Sequence, residues 1–324
     1  MSWRHEYDED RNLDHVTGAT MEMLVSRVGA ELIGLTWKHP RHGEIPLLWR
    51  NGQTEPPPKF WKSHAPVLFP IVGGIHGLKS TTSDGRQVWF KKQHGFARHS
   101  SFELVDLATN KRSESFALKY RLNADKETLS MYPWRFVLDV VYELHPNQLV
   151  QSITVANADD RPMPFQLGWH PGFNTPFRHG EKARCRLQLP PGQLTLLHND
   201  EHCYLTGTSE VIDNRGWPGS PVDFPFTEGK LDRTYMFDLS NVPPAKRVVA
   251  LFDPDGEIGV KVLFADYPHL GIWSDAGAPF ICVEPWQGMD DAAVPEPFDK
   301  KFGITLLPPG QCDVRHVTIK VTGN

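Results

Sequence analysis

The sequence predicts an all-β protein, a large antiparallel β-sandwich, and three observations carry that prediction. Short runs rich in β-branched and aromatic residues recur along the 324 residues. Helical periodicity is scarce. Twenty-eight prolines punctuate the runs, a density that suits strand ends and shaped loops better than continuous helices. Parallel α/β folds need strands alternating with long helices, and the chain has no such alternation.

Taken in order, strands are expected at 21–28, 31–38, 87–92, 101–107, 115–122, 136–144 and 149–157, each apolar on alternate positions or rich in β-formers. Asp84-Gly85 and Pro146-Asn147 mark turns between them. A second series follows at 184–189, 234–239, 247–252, 258–264, 270–274, 280–283 and 314–321. Asp255-Gly256 predicts a two-residue hairpin within it. Residues 124–132 are expected to form one short helical turn. Pro56-Pro57-Pro58 reads as a loop because strand-like sequence flanks it, and no repeat or Gly/Ser linker divides the chain. One domain over 1–324 is the expected organisation. Two smaller sandwiches, divided in the loop-rich region 190–230, are the alternative.

Composition narrows the function. Hydrophobic content of 40% and charged content of 23% supply an ordinary core. A net charge of −5 without a basic run argues against nucleic acid, whose binding draws most of its strength from phosphate neutralisation. The four cysteines, Cys185, Cys203, Cys282 and Cys312, have no Cys-x-x-Cys spacing and are expected as isolated thiols. Met1–Leu13 is polar, and no apolar run is long enough to span a bilayer as a helix. A cytoplasmic protein without membrane attachment is the expectation.

Two motifs 114 positions apart (284 − 170) concentrate the chemistry. Gly168-Trp169-His170-Pro171-Gly172-Phe173 sets one histidine among special residues. Proline after His170 holds it extended, and Gly172 is expected to allow a sharp turn. Ile281-Cys282-Val283-Glu284-Pro285-Trp286 ends an apolar run with a carboxylate, costly if buried unpaired. Histidine and carboxylate together make a general acid and base; apart, they are a satisfied core imidazole and a surface ion pair. His94-Gly95-Phe96-Ala97-Arg98 suits either the rim of a site for a hydroxylated ligand or a plain turn. Trp169, Trp286 and either Phe96 or Trp273 offer flat apolar faces for a sugar ring, with core packing the equal alternative for Trp273. Gly73-Gly74-Ile75-His76-Gly77-Leu78-Lys79-Ser80 lacks the Gly-Lys-Ser/Thr junction of a phosphate loop. There is no Gly-x-Ser-x-Gly elbow, so a serine hydrolase is not expected, and without His-Glu-x-x-His a metal site is a minor alternative, none being assigned.

Phe69-Pro70-Ile71-Val72-Gly73, His94–Arg98, Leu167–Phe173 and Val283–Trp286 occur in an order that resembles the aldose 1-epimerases. The similarity is to the LacX-like branch of the galactose mutarotase-like superfamily. It runs from Val28-Gly29-Ala30-Glu31-Leu32 through Tyr142-Glu143-Leu144 to the turn at Pro309-Gly310. The resemblance implies a β supersandwich with its site in a cleft on one sheet, a small-molecule sugar as substrate, and no cofactor. It implies Glu284 as general base, His170 as general acid, and His94 and Arg98 as sugar contacts. Asp232, in Leu231-Asp232-Arg233-Thr234-Tyr235, matches the family's hydroxyl-binding aspartate. The chain departs from many relatives at Gly74, where they carry arginine; His76 or Lys79 is the expected substitute. Interconversion of aldohexose anomers is the activity implied. A hexose-6-phosphate mutarotase using Arg98, Lys79, Lys91 and Lys92 is one alternative, and a non-catalytic carbohydrate-binding or sensing protein another. A polysaccharide lyase or hydrolase would call for a longer groove or a further domain.

Overall fold

The computed structural model describes residues 3–55, 59–214 and 234–323. They form two eight-stranded antiparallel sheets and a five-stranded one. The first large sheet orders Arg186–Gln188, Val248–Phe252, Gly259–Leu263, Cys312–Thr322, Gln148–Asn157, Phe136–Leu144, Ser115–Asn123 and Glu103–Asn110. The second orders Leu205–Asn214, Gly192–Asn199, Tyr235–Asp238, His269–Trp273, Phe280–Gln287, Leu167–Trp169 and Val67–Leu68, and Gly172–Asn174 pairs with Phe280–Gln287 outside that path. Arg4–Asp8, Leu13–Thr17, Met21–Ser26, Glu31–His39 and Gly43–Pro46 make the third sheet in chain order. The all-β antiparallel sandwich expected from the sequence is the observed fold.

Alternation explains most of the pairing. In Gln148–Asn157 every second residue is buried, so one face seals the core and the other meets polar surroundings. The two large sheets meet through aromatic contacts, Phe69 on Phe136 at 5.1 Å and Tyr142 on Trp169 at 6.4 Å between ring centroids. One connected buried cluster runs from Val16 to Val321 through both. The expected helical turn is the helix Lys126–Met131, closed by a capping box between Asp125 and Thr128.

Some expectations change in detail. Val248–Phe252 and Gly259–Leu263 do pair, but a loop of four residues, Pro254 to Glu257, joins them, because Asp253 N–H still donates to Ile258 O at 2.8 Å. Gly172 lies in a strand rather than a turn. Arg4–Asp8 and Leu205–Asn214 were not expected as strands. Their side chains are mostly exposed, so no buried face imposed an apolar alternation on the sequence.

The five-stranded sheet is tied to the first large sheet by a buried charge. Asp14 accepts from Arg27 at 2.8 and 2.9 Å and from the Tyr120 hydroxyl at 3.0 Å, and His5 Nε2 lies 2.9 Å away. Burial alone would raise the Asp14 pKa, but these partners outweigh it and hold the carboxyl below its ordinary value. Asp14→Ala should cost roughly 3 kcal/mol, the low end for breaking a buried pair because Arg27 keeps some access to water. A urea melt reads this directly; an unchanged midpoint would show the junction to be incidental.

Candidate active site

The strand Phe280–Gln287 is buried along nearly its whole length, so its alternation is invisible in hydropathy yet decides the geometry. Ile281 and Val283 join the main core, while Glu284 and Trp286 lie on the opposite face, two residues apart. The same rule acts on Leu167–Trp169. Trp169 faces the core, donating its indole N–H to Ala65 O at 2.8 Å, and His170, the next residue, is delivered to the other side. The His170 Nε2 therefore stands 3.1 Å from Glu284 Oε2. The contact is close in distance but not aligned: neither Glu284 oxygen nor His170 Nδ1 closes a hydrogen bond among the described residues. Glu284 is 1% exposed and His170 6%.

Above this pair is a cavity of about 340 Å³ lined by Trp61, Gly73, Gln93, His94, Arg98, His170, Cys203, Thr234, Trp273, Asp275, Glu284, Trp286 and Asp290. Glycines make room for its aromatic walls. A Cβ on Gly168 or Gly271 would stand 2.8 or 2.7 Å from the Trp286 indole, and one on Gly172 would stand 2.9 Å from Trp61. The Trp61 ring stacks on His170 at 4.7 Å, and its backbone N–H donates to Asp275 Oδ2 at 2.6 Å.

His94 occupies the left-handed region at φ 67°, a conformation that costs a non-glycine residue roughly 1 kcal/mol or more. Two reciprocal bonds hold it: His94 N–H donates to Gly73 O at 2.7 Å, and Gly73 N–H donates to His94 Nδ1 at 3.0 Å. With Nδ1 accepting, a neutral imidazole carries its proton on Nε2, free to donate to a ligand. Burial, with Arg98 nearby, pushes the His94 pKa down to about 3, which keeps it in that form. Arg98 donates to Ser63 Oγ at 2.9 Å. Asp290, also buried, accepts from Gly74 N–H at 2.6 Å. A Cβ on Gly73 would stand 2.2 Å from the Asp290 carboxylate, so Gly73 is required for this approach.

Electrostatics favour an uncharged resting pair. Burial lifts the Glu284 pKa well above the carboxylate range; the Asp290 carboxylate adds to the effect and Arg98 opposes it. Burial likewise draws His170 well below the usual imidazole value, with His94 and Arg98 in support. Both shifts favour the uncharged imidazole and carboxylic acid. Burial raises Asp290 to about 7.

Of the residues expected from the sequence, His94, Arg98, His170, Glu284 and Trp286 converge on the cavity, and so does Trp273. Trp169 does not: alternation sends it into the core. Phe96 does not either, because its ring packs on Phe136 and Phe69. Asp232 lies outside the described residues; Thr234, two positions on, lines the cavity. His76 and Lys79, expected to replace the arginine missing at Gly74, are not among the lining residues. His76 instead stacks on Tyr204 at 3.9 Å. Trp61, Gln93, Cys203, Asp275 and Asp290 were not anticipated.

A model of the aldose 1-epimerase family matches residues 14–317. The chain belongs to the aldose 1-epimerase family. Within that family, protein LacX of Lactococcus lactis subsp. lactis, in its plasmid and chromosomal forms, is 30% identical over 243 residues, 72% of this chain and 76% of LacX. A galactose mutarotase related enzyme from Lactobacillus acidophilus superposes with a TM-score of 0.81 at 25% identity, covering 96% of this chain and 97% of its own. A galactose mutarotase-like protein from Lactobacillus casei gives 0.77 at 27% identity, covering 96% and 100%. This aldose 1-epimerase family member places His170 and Glu284 at the floor of an aromatic-walled cavity. No helix among its described residues is long and apolar enough to cross a membrane.

Two predictions follow from this geometry. Gly271→Ala should displace the Trp286 indole and cost on the order of 1–3 kcal/mol, the usual penalty for overpacking; tryptophan fluorescence and a thermal melt would register both effects. Asp290 is protonated in the folded protein but ionised in the unfolded chain between its ordinary value of 3.8 and about 7. Stability should therefore fall as pH rises through that window, by a few kcal/mol at most, given about 1.4 kcal/mol per unit. Asp290→Asn should flatten that slope, and an unaltered pH profile of Tm would contradict the assignment.

Proposed function

We propose that the protein is a mutarotase that interconverts the anomers of an uncharged aldohexose, with Glu284 as general base and His170 as general acid. The observation that carries the reading is the 3.1 Å approach of His170 Nε2 to Glu284 Oε2 at the floor of the cavity. At about 340 Å³, that cavity lies near the lower end of the roughly 300–1,000 Å³ usual for small-molecule sites, which suits one monosaccharide better than a polymer.

The reaction opens and recloses the pyranose ring. A base takes the proton from the C1 hydroxyl while an acid gives one to the ring oxygen; rotation about C1–C2 then exposes the other carbonyl face. The resting proton on the buried pair is enough for this. Its transfer from Glu284 to His170 creates the carboxylate and imidazolium together, with no proton drawn from solvent. Arg98 beside Glu284 favours the carboxylate. The sugar then receives one proton at its ring oxygen and yields one at its hydroxyl, so reversal of the steps resets the pair. Trp286, Trp273 and Trp61 offer apolar faces to the ring. The His94 Nε2–H and Arg98 can donate to sugar oxygens, and Asp290 can accept from a hydroxyl. We assign Asp232 the same accepting role on the family resemblance.

Charge argues for an uncharged substrate. Among the described lining residues Arg98 is the one permanent cation. Lys79, Lys91 and Lys92, which a 6-phosphate would need, are not among those residues.

Glu284→Gln and His170→Asn should each lower catalysed anomer exchange by roughly 100- to 10,000-fold, the range typical of acid–base groups, while the thermal melt stays cooperative. The measurement is exchange NMR on free and 6-phosphorylated hexoses in a weakly catalytic buffer. Near-normal exchange in folded Glu284→Gln would overturn the assignment. Preference for the phosphorylated sugars would overturn the choice of substrate.

A further inference from the structure

We propose that His170, Cys282 and Glu284 also form a binding site for a soft divalent cation of the zinc class, and that filling it shuts the sugar site. Only the second part rests on the proposed roles of His170 and Glu284. The observation is geometric. One nitrogen of His170, Cys282 Sγ and one carboxylate oxygen of Glu284 lie within 4.8 Å of one another, and all three residues are buried.

The fold puts them there by the alternation already described. Cys282 and Glu284 are two residues apart on one strand. Gly172, two residues after His170, is the register partner of Cys282. Imidazole, thiolate and carboxylate are the donors of zinc sites, whereas magnesium and calcium prefer all-oxygen sets. With bonds of about 2.0–2.3 Å, a tetrahedral ion holds its ligands roughly 3.3–3.8 Å apart. The His170–Glu284 separation of 3.1 Å is already near that range, and the edges to Cys282, all within 4.8 Å, must shorten to reach it. Three protein ligands leave a fourth position for water or another donor.

A second, independent observation points to a ligand. Both Glu284 oxygens are buried with no well-aligned hydrogen-bond partner among the described residues, and each such orphan is costly. A sugar hydroxyl relieves some of that cost during catalysis; a cation relieves it in the sugar's absence. Cys282 has no part in the acid–base chemistry and is not among the residues lining the cavity. On binding, the thiol proton and the proton shared by His170 and Glu284 leave to solvent, and the lone pairs that act on the sugar become metal bonds. Asp275 and Asp290 favour a cation here and Arg98 opposes it.

The test uses cobalt(II) as a spectroscopic stand-in for zinc, titrated into chelator-treated protein carrying Cys312→Ser, which removes an exposed thiol. The expected result is a thiolate-to-cobalt charge-transfer band in the near ultraviolet with the visible bands of a tetrahedral site, both bleached by added Zn²⁺. Cys282→Ala in that parent should lose the charge-transfer band, keep metal-free mutarotation at the parental rate, and show at least about tenfold weaker inhibition by Zn²⁺. Glu284→Gln gives a second reading should Cys282→Ala fold poorly, since it should weaken cobalt binding in a protein that melts normally. Absence of the band, or its persistence in Cys282→Ala, overturns the site. A band that appears while Zn²⁺ leaves mutarotation untouched upholds the site and overturns instead the catalytic roles given to His170 and Glu284.

Discussion

The candidate site depends on glycine lying under aromatic rings. The strand carrying Glu284 is buried on both faces, so a cavity opens on it where neighbouring side chains are missing. Gly168 and Gly271 supply that absence on the strands either side of Phe280–Gln287. The Trp286 indole lies over both. Gly172 does the same for Trp61, which in turn covers His170. Rings seated directly on backbone have few alternative rotamers, and a wall of that kind keeps its shape without a ligand to organise it.

Burial at the cavity floor decides the electrostatics. Isolated charges are expensive there, which favours the uncharged forms of His170 and Glu284. Under the proposed mechanism, transfer of one proton from Glu284 to His170 separates this form from the carboxylate and imidazolium. His94 is kept uncharged by the same burial, and its strained backbone is held by two bonds to Gly73. Asp290 leans on the adjacent peptide. The segment Phe69–Gly73 thus orders a histidine and a carboxylate that are almost two hundred positions apart in the chain, though it has no titratable group itself.

Much of this was legible in the sequence. Four short motifs named the elements that converge, and the apolar runs gave the strands that bury one face. What escaped has physical reasons. Trp169 and His170 are neighbours, and on extended backbone neighbours point apart; counting parity from His170 would have assigned Trp169 to the core. Phe96 follows a His94-Gly95 pair whose left-handed angles turn the chain, so its direction depended on backbone that sequence patterns do not report. Asp290 lies beyond the end of its strand, where alternation no longer tells which way a side chain faces. Trp61 stands in a loop, outside any periodic pattern, and its aromatic neighbour Phe60 was the one available signal. Exposed edges such as Leu205–Asn214 carry no apolar signature because water is on both sides of most of their residues.

The Asp14 junction has a consequence for how the molecule comes apart. The N-terminal sheet is joined to its neighbour there by an ionised carboxylate held below its usual range, rather than by apolar contact alone. A seam of that kind titrates: its contribution is present above the ordinary carboxyl value and drains away as pH falls through the depressed one. Only below the ordinary carboxyl value of 3.8 does this seam weaken, and there the amide protons of the first five strands should exchange with solvent ahead of those in the sheet that carries Glu284.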